Sequence, residues 1–225
     1  MEALERILPE GIPFPGTRSY SFFARSRIMQ TFYRDVALDV TREVERGRIL
    51  DVGTGPGYLP LQISRMIPES EVIGVDISKD MIKIARRNAE RAGARNVRFL
   101  LEDANRMSFG NETFDLVVST GSLHHWKNPV RVINEIYRVL KFGKKALIYD
   151  LWRGAPKKLL KEKLRECGYS ITAGLIMYSI VKAHSSITVE EVMRILGEEG
   201  NMFRNHSVEE GWNSYPVVKV TLLKV

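Results

Sequence analysis

Short apolar runs alternate with amphipathic stretches through the middle of the chain. Strand-like runs cover residues 48–52 and 71–77 and recur as VRFLLEDA, FDLVVSTG and KALIYDLW. The segments between them place apolar residues at helical spacing, in LPLQISRMIP, SKDMIKIARRNAERAG and NPVRVINEIYRVLKFG. Ser78 is a suitable N-cap and Gly93 a suitable C-terminal stop for the second of these helices. Strands joined by helices of this length predict right-handed crossovers and a parallel sheet covered by helices on both faces.

The C-terminal part departs from this alternation. A helix with a capping box formed by Thr188 and Glu191 is followed by strand-like residues near FRNHSV and by PVVKVTLLKV. The few residues between these two stretches cannot hold a crossover helix. The last strand is therefore predicted to run antiparallel to its neighbour, in a hairpin at the edge of the sheet.

Two segments lie outside the predicted sheet. Residues 1–46 predict an arm, broken by Pro9, Pro13 and Pro15, and then one or two helices. Residues 153–185 are too long for a plain loop and have helical periodicity of their own, so we interpret them as a cap over the carboxyl ends of the strands. Together with the sheet these segments make one domain over 1–225, as expected for a chain of 225 residues.

Composition narrows the class of protein. Hydrophobic residues at 44% and charged residues at 27% are typical of a globular chain. Cys167 is single, the charged start has no signal-peptide pattern, and no apolar run reaches about 20 residues. We therefore expect a cytoplasmic protein with no integral membrane segment. The net charge of +7 permits an acidic partner without requiring one, and scarce Gln beside abundant Lys, Arg and Glu suggests a heat-adapted source.

The most specific motif is DVGTGPGY, residues 51–58, between the first strand and a helix. Its glycines let the backbone turn tightly and approach a ligand. A dinucleotide fingerprint would need glycine where Tyr58 stands, and a P-loop would need a following Gly-Lys pair. Asp51 would repel a pyrophosphate but would favour a ligand with an ammonium and a sulfonium group. The alternative is a glycine-rich turn with no ligand.

This motif resembles the [D/E]-x-G-x-G-x-G signature of class I S-adenosylmethionine-dependent methyltransferases. The resemblance covers residues 48–150 closely, and STGSLHHW and EIYRVLKFG are similar to methyltransferase type 11 proteins, including ubiquinone- and menaquinone-pathway C-methyltransferases. It implies a Rossmann-like α/β fold with seven strands, mostly parallel, and an antiparallel last strand. It also implies S-adenosylmethionine as the cofactor and S-adenosylhomocysteine as the product. Gly143 is followed by lysines where the family has a second glycine.

The resemblance further implies a cofactor site spread over several strand ends. Asp76 resembles the carboxylate that binds the ribose, since two adjacent hydroxyls can donate to one charged acceptor. Ile77 and Met81 resemble the apolar contacts to adenine, and Asp103, with the backbone of Ala104, resembles the acceptor for the adenine amino group. In the alternative interpretation Asp76 caps a helix and Asp103 is a turn residue. The predicted cofactor-binding residues are Asp51, Gly53, Thr54, Gly55, Gly57, Asp76, Ile77, Met81, Asp103, Ala104 and Ser119.

Catalytic groups are expected to be few. Methyl transfer from a sulfonium is an in-line displacement with a good leaving group, so alignment alone can supply much of the rate. If the acceptor must lose a proton, the candidates are His125, His124, Tyr149 and Asp150 after the fourth and fifth strands. His125 is favoured because a neutral imidazole is a base near neutral pH, although paired histidines also serve as packing and capping groups. Trp126 is either a wall of the substrate pocket or a core residue.

Other chemistries lack their usual residues. His184 and His206 are far in sequence from the histidine pair and Cys167 is single, so no metal site is predicted. No Asp/Asn-Pro-Pro-aromatic motif follows the fourth strand, which weakens methylation of an exocyclic base amine without excluding other nucleic-acid atoms.

Three functional hypotheses remain. In the favoured one, an apolar cap face closes a pocket over a small or lipid-like acceptor; that face comprises Leu175, Ile176, Met177, Tyr178 and Ile180. In the second, a basic cluster in the cap follows the backbone of RNA; it comprises Lys157, Lys158, Lys161, Lys163 and Arg165. In the third, the protein binds the cofactor as a regulatory or scaffold subunit. The sequence leaves open the oligomeric state and whether the aromatic segment of Tyr20, Phe22, Phe23 and Tyr33 folds over the cofactor.

Overall fold

The computed structural model describes residues 24–225, and within one cap helix the side chains of Ala173, Met177, Ile180, Ala183 and His184 also lie outside the described part. The predicted arm and three residues of the aromatic segment, Tyr20, Phe22 and Phe23, precede the described residues. The strands are β1 Arg48–Val52, β2 Glu71–Asp76, β3 Val97–Leu101, β4 Phe114–Thr120, β5 Leu140–Leu151, β6 Asn205–Glu210 and β7 Val217–Leu223. The helices are α1 Arg27–Glu43, α2 Tyr58–Met66, α3 Lys79–Ala92, α4 Pro129–Val139, α5 Lys157–Glu166, α6 Ile171–His184 and α7 Val189–Gly197.

The seven strands form one sheet in the order β3-β2-β1-β4-β5-β7-β6. Strands β1 to β5 are parallel, whereas β7 runs antiparallel to both β5 and β6. The predicted fold class and the antiparallel last strand are therefore confirmed. Strand order reverses between β1 and β4, which opens a crevice at the carboxyl ends of these two strands.

Two apolar cores lie on opposite faces of the sheet. Neighbouring residues of β1 show the separation, because Ile49 packs into one core and Leu50 into the other. The first core includes apolar residues of α1, α2 and α3, and the second includes those of α4 and α7. A central strand covered on both faces needs apolar residues at nearly every position, which explains the uninterrupted apolar runs in the sequence.

The predicted helix caps are present. Ser78 accepts a hydrogen bond from the backbone of Met81, and Gly93 ends α3 in the left-handed conformation. Thr188 and Glu191 form both hydrogen bonds of the capping box at the start of α7. These short-range signals locate α3 and α7 because each depends only on residues within one turn of the helix end.

The boundary between α4 and β5 differs from the prediction. The sequence predicted a helix that continues to Gly143, but α4 ends at Val139 and β5 begins with Leu140. The pairing with β4 shifts register along this stretch, and Gly143 adopts φ 72° in the irregularity. Its N–H donates to the backbone of Lys224 from the C-terminal end. Sheet pairing thus outcompetes the helical pattern, because the glycine lets the strand bulge and resume.

The segment 153–185 forms helices α5 and α6 at the carboxyl edge of the sheet. Helix α5 packs against the turn between β6 and β7, and the hydroxyl of Tyr178 on α6 donates to the backbone of Trp152 at the end of β5. The backbone of Arg27, at the start of α1, donates to the hydroxyl of Tyr169 between the two cap helices. The segment therefore lies beside the crevice and touches the first described helix.

Among residues 24–225, no helix combines the length and the apolar character needed to cross a lipid bilayer.

Candidate functional site

The glycine-rich loop after β1 is held by its own backbone. Gly53 and Thr54 both donate N–H groups to the carbonyl of Val75, at 2.9 and 2.8 Å. The N–H of Gly57 donates to Thr54, and that of Gly55 donates to the carboxylate of Asp76 at 2.8 Å. Pro56 has no N–H. The loop from 53 to 57 therefore offers no free N–H to a phosphate, unlike a phosphate-binding loop.

Glycine is required in this loop by space as well as by conformation. The φ angles of Gly53, Gly55 and Gly57 are 74°, 52° and 80°, in the region that other residues rarely adopt. A Cβ on Gly53 would overlap the hydroxyl of Ser122, and one on Gly57 would lie 2.5 Å from the ring of Phe99. The loop thus sits tightly against its neighbours and leaves the crevice above it open.

Asp76, the last residue of β2, connects this loop to the next helix. Its two carboxylate oxygens accept from the N–H groups of Gly55 and Ser78, both at 2.8 Å. Burial raises the pKa of Asp76, and these two backbone hydrogen bonds offset part of that rise. Because a carboxylate offers about four acceptor positions, both oxygens keep capacity for hydroxyl donors of a ligand.

Asp51 is a buried carboxylate beneath the loop. Its side chain is only 1% exposed, and Oδ1 has no hydrogen-bond partner among the described residues, nor does the hydroxyl of Thr54. Burial raises the pKa of Asp51 to about 7, the nearby Thr54 hydroxyl offsets part of the rise, and the charge of Asp76 adds to it. A cationic group nearby would relieve the cost of burying this charge.

One cavity in the crevice gathers most of the predicted cofactor residues. Gly53, Gly55, Asp76, Ile77, Met81, Asp103 and Ala104 all line it, and so does His125. Thr54 and Gly57 lie in the loop but do not line the cavity, and Asp51 lies beneath it. Trp126, which the sequence offered as a pocket wall or a core residue, lines the cavity too. The sequence prediction missed the remaining lining residues, which are Val75, Glu102, Asn105, Gly121, Ser122 and Val132.

The cavity presents two carboxylates and an apolar wall. Asp76 offers a carboxylate next to the loop, Ile77 and Met81 supply the apolar wall, and Asp103 supplies the second carboxylate. Asp103 accepts from the backbone and side chain of Asn105, both at 2.8 Å, which fixes its orientation. Two acceptors with an apolar wall suit a ribose with an attached aromatic base, so the residues fit the cofactor that the resemblance implies.

Ser119 does not lie where the sequence prediction placed it. It is fully buried in β4, and its hydroxyl donates to the carbonyl of Val52 in β1 at 2.8 Å. The hydroxyl hydrogen of Ser119 is thus used in a hydrogen bond between two strands below the cavity. The prediction of Ser119 as a cofactor contact is therefore corrected to a structural role.

Tyr149 also lies away from the cavity. Its side chain is fully buried on the α1 face of the sheet, where its hydroxyl donates to Asp39 and its ring packs against Phe32 and Trp212. Burial, with Asp39 beside it, raises the pKa of Tyr149 far above its usual range. Adjacent residues of a strand point to opposite faces of the sheet, so Tyr149 and its neighbour Asp150 cannot share a face. Tyr149 therefore cannot meet an acceptor in the cavity.

His124, His125 and Asp150 form a compact group at the mouth of the cavity. The buried carboxylate of Asp150 accepts from the backbone N–H of His124 at 3.0 Å and contacts its Nδ1 at 2.7 Å. The ring of His125 contacts that of His124 at a tilt of 47°, with 3.9 Å between centroids, and reaches solvent at the cavity mouth. Desolvation of the His125 ring by the surrounding protein, and then the neighbouring His124, lower the pKa of His125 to about 4, while Asp150 opposes this fall.

The basic cluster of the cap is not a continuous exposed face. Lys163 is buried, with Nζ 3.0 Å from Glu166 and 4.2 Å from the centre of the Tyr215 ring. Lys158 lies 3.9 Å from Glu162 on the same helix. Lys163 therefore anchors α5 to the turn after β6, which corrects its predicted place in a phosphate-binding surface. In the part of the chain that the structure covers, no three His, Cys, Asp or Glu residues are grouped to hold a metal.

Comparison with known proteins adds a family to this geometry. Residues 43–200 match a family model described as a methyltransferase domain. A demethylmenaquinone methyltransferase of Thermus thermophilus is 36% identical over 118 residues, which cover 52% of this chain and 53% of that protein. A ubiquinone/menaquinone biosynthesis C-methyltransferase of Azotobacter vinelandii is 37% identical over 48% of this chain and 44% of that protein. The chain spans about half the length of these curated relatives.

Solved structures share the fold over nearly the whole chain. A SAM-dependent methyltransferase from Aquifex aeolicus has a TM-score of 0.68 at 19% identity and covers 93% of this chain and 98% of its own. At this identity the likeness shows the fold alone. It covers a larger share of this chain than the curated relatives do.

Proposed function

The chain belongs to the family of class I S-adenosylmethionine-dependent methyltransferases, and we propose that it moves a methyl group from this cofactor to a small, largely apolar acceptor. The observation that carries the proposal is the cavity at the switch point of the sheet. It joins a glycine loop without free N–H donors to the carboxylate of Asp76 and an apolar wall. The bound cofactor supplies an electrophilic methyl group on a sulfonium, with a neutral thioether as leaving group.

The residues around the cavity have distinct proposed roles toward the cofactor. Asp76 accepts from the ribose hydroxyls, and Ile77 and Met81 pack against the adenine. Asp103 and the backbone of Ala104 bind the edge of the base. Gly53, Gly55 and Gly57 provide close approach, while Asp51 and Thr54 below the loop favour the cationic end of the molecule. The roles of Asp76, Ile77, Met81 and Asp103 are supported by the acceptors and apolar groups that line the cavity.

The acceptor is proposed to bind at the His125 and Trp126 end of the cavity, beneath the cap. Two observations support an apolar ligand there. Trp126 lines this end and packs, as Trp152 does, against the apolar core of the α4 face, and Tyr178 of α6 is hydrogen-bonded to the backbone of Trp152. The relatives named above act, by name, on demethylmenaquinone or in ubiquinone and menaquinone synthesis. We therefore place a quinone-like ring compound first among the candidate acceptors.

His125 is the proposed proton acceptor when the methyl-accepting group must lose a proton. It lies at the cavity mouth, reaches solvent and is neutral at physiological pH because its pKa is about 4. A weak base of this kind suits an acceptor that is itself easily ionised, while in-line alignment supplies the rest of the rate. Asp150 is buried and contacts His124, so it does not meet the acceptor directly.

One labelling experiment separates the three functional hypotheses. The protein is incubated with S-adenosylmethionine labelled in the methyl group and, in parallel, with a lipid extract and with bulk RNA. Label that enters the lipid fraction with the parent protein and not with Asp76→Ala supports the proposal. Label in RNA would replace it by RNA methylation. Calorimetric binding of S-adenosylmethionine with no label in either fraction would favour the regulatory or scaffold hypothesis.

A further inference from the structure

His124 is held by two contacts to one buried carboxylate. Its backbone N–H and its Nδ1 both contact the carboxylate of Asp150, whose side chain is fully buried at the end of β5. An ionised carboxylate only accepts hydrogen bonds, so Nδ1 must carry the proton. The 3-10 turn Leu123–His125 after β4 is thereby fixed to the neighbouring strand.

The other ring nitrogen of His124 is left without a partner. The side chain is only 7% exposed, and Nε2 has no hydrogen-bond partner among the described residues. With Nδ1–H toward Asp150, a neutral His124 keeps a lone pair on Nε2, and a second proton there would be buried without an acceptor. The His124 ring nevertheless contacts the ring of His125, which is tilted against it by 47° with 3.9 Å between the two centroids.

This arrangement assigns different tasks to the two histidines. His124 is buried and oriented, while His125 is exposed at the cavity mouth and its ring has no hydrogen bond to the described residues. In hydrolases, a base is commonly oriented by a carboxylate that contacts its other nitrogen. Here the carboxylate orients the ring behind the exposed one, so orientation passes from Asp150 to His124 and then, through the tilted contact between the two rings, to His125.

We propose that Asp150 and His124 are positioning residues, which hold His125 as a neutral proton acceptor facing the methyl-accepting group. The inference rests on the proposed function and deepens it, because it implies an acceptor that carries a dissociable proton. The proton leaves the acceptor atom for a ring nitrogen of His125, and the electron pair of the broken bond forms the new bond to the methyl carbon. The bond from that carbon to the sulfonium sulfur would break, with its electron pair left on the neutral thioether.

The charges around His125 give this proposal a sign to test. Asp150 favours a proton on His125. Asp76, Glu102 and Asp103 line the same cavity and face it from β2 and from the segment after β3. They stay in place in every variant below, so a change between variants reports the Asp150–His124 pair.

The first measurement uses the unmodified protein. Long-range proton–nitrogen NMR spectra of the histidine rings at pH 7 should show His124 protonated at Nδ1 and His125 neutral. A His124 ring protonated at Nε2 would overturn the proposal, since Asp150 would then not hold it. This test needs neither a substrate nor a variant that folds.

The second measurement compares variants by NMR titration of the His125 ring. Asp150→Asn should lower the pKa of His125, because it removes a carboxylate that favours the proton on that ring. His124→Gln keeps this carboxylate and removes a neutral ring, so it should not lower the pKa of His125. His206→Gln, on the edge strand β6, is the matched control and should leave His125 unchanged. A fall of similar size in both site variants would contradict the proposal, because general loosening of the turn would produce it.

The kinetic test requires an acceptor found by the labelling experiment. Asp150→Asn should lower kcat about 10-fold or more while the KM for S-adenosylmethionine changes less than about 2-fold. Equal kcat and an unchanged pH profile would refute the positioning role. Binding of the cofactor is measured separately by calorimetry, so loss of the proposed function and loss of the positioning role give different results.

Discussion

The carboxylate of Asp76 accepts the N–H of Gly55 at 2.8 Å, so the end of one strand holds the loop that follows its neighbour. Asp76 is thus committed to the glycine loop through one oxygen and to the start of α3 through the other. The residue proposed to bind the ribose also sets the shape of the loop, which couples cofactor affinity to loop geometry.

Asp76→Asn should weaken binding of S-adenosylmethionine by about 10- to 100-fold. The amide keeps one accepting oxygen, but its NH2 group faces a backbone N–H and cannot accept from the ribose. Calorimetric titration measures the affinity. Asp80→Asn, exposed in the first turn of α3, is the matched control and should bind almost as the parent does. Equal affinity in both variants would exclude Asp76 from the cofactor site.

Asp51→Asn should stabilise the ligand-free protein at pH 8. The folded-state pKa of about 7 lies above the unfolded value of 3.8, so the carboxylate is charged in both states at pH 8 and its burial costs up to about 4 kcal/mol. The folded protein takes up this proton first as pH falls, so the gain should shrink from pH 7 toward pH 4. Urea denaturation at pH 5 and pH 8 measures the difference, and a gain independent of pH would contradict the assignment.

Gly53→Ala should destabilise the fold and remove measurable cofactor binding. The left-handed backbone costs alanine about 1–2 kcal/mol, and its Cβ would also overlap Ser122. Gly93→Ala has a similar φ of 62° but open space around the new Cβ, so it carries the conformational cost alone. Thermal denaturation and calorimetry of the two variants separate the effects. Similar losses in both would mean that space at Gly53 is unimportant.

Tyr149→Phe should lower the free energy of unfolding by about 1–3 kcal/mol and leave cofactor affinity unchanged. The substitution deletes a hydroxyl that donates to buried Asp39 on the face opposite the cavity. Tyr137→Phe removes only a 3.4 Å bond near the surface and serves as the control, with a change below about 0.5 kcal/mol. A Tyr149→Phe protein with full stability but impaired methyl transfer would restore Tyr149 as a catalytic candidate.

Much of the fold could be predicted because its signals are local. The capping box of Thr188 and Glu191, the cap Ser78 and the stop Gly93 each act within one helical turn. The short link before β7 excluded a crossover and so predicted its antiparallel direction. The start of β5 at Leu140 could not be found in this way, since it depends on pairing with Phe114, 26 residues earlier in the chain.

Only part of the site could be predicted from the sequence, and the reason is geometrical. Gly55 lies in a backbone turn and Asp76 at the end of a strand, and both positions can be located from the sequence. Both residues line the cavity as expected. Tyr149 and Asp150 are neighbours in one strand, so their side chains point to opposite faces of the sheet. The alternation of β5 already showed that the two could not act together as catalytic groups on one face. Ser122 and Val132 line the cavity from a turn and a helix face, where no sequence pattern marks them.

All N–H groups of the glycine loop already donate hydrogen bonds within the protein, and this affects which adenine-bearing metabolites the site can select. A molecule that ends in phosphates could share the contacts to the base and ribose, but this loop offers its charge no donor and Asp51 lies beneath. The site then discriminates against phosphate-bearing molecules because the loop gives the phosphate no hydrogen-bond donor, not because it adds a contact to the preferred ligand. An inhibitor built on adenosine should gain affinity from a neutral or cationic 5′ extension and lose it from an anionic one.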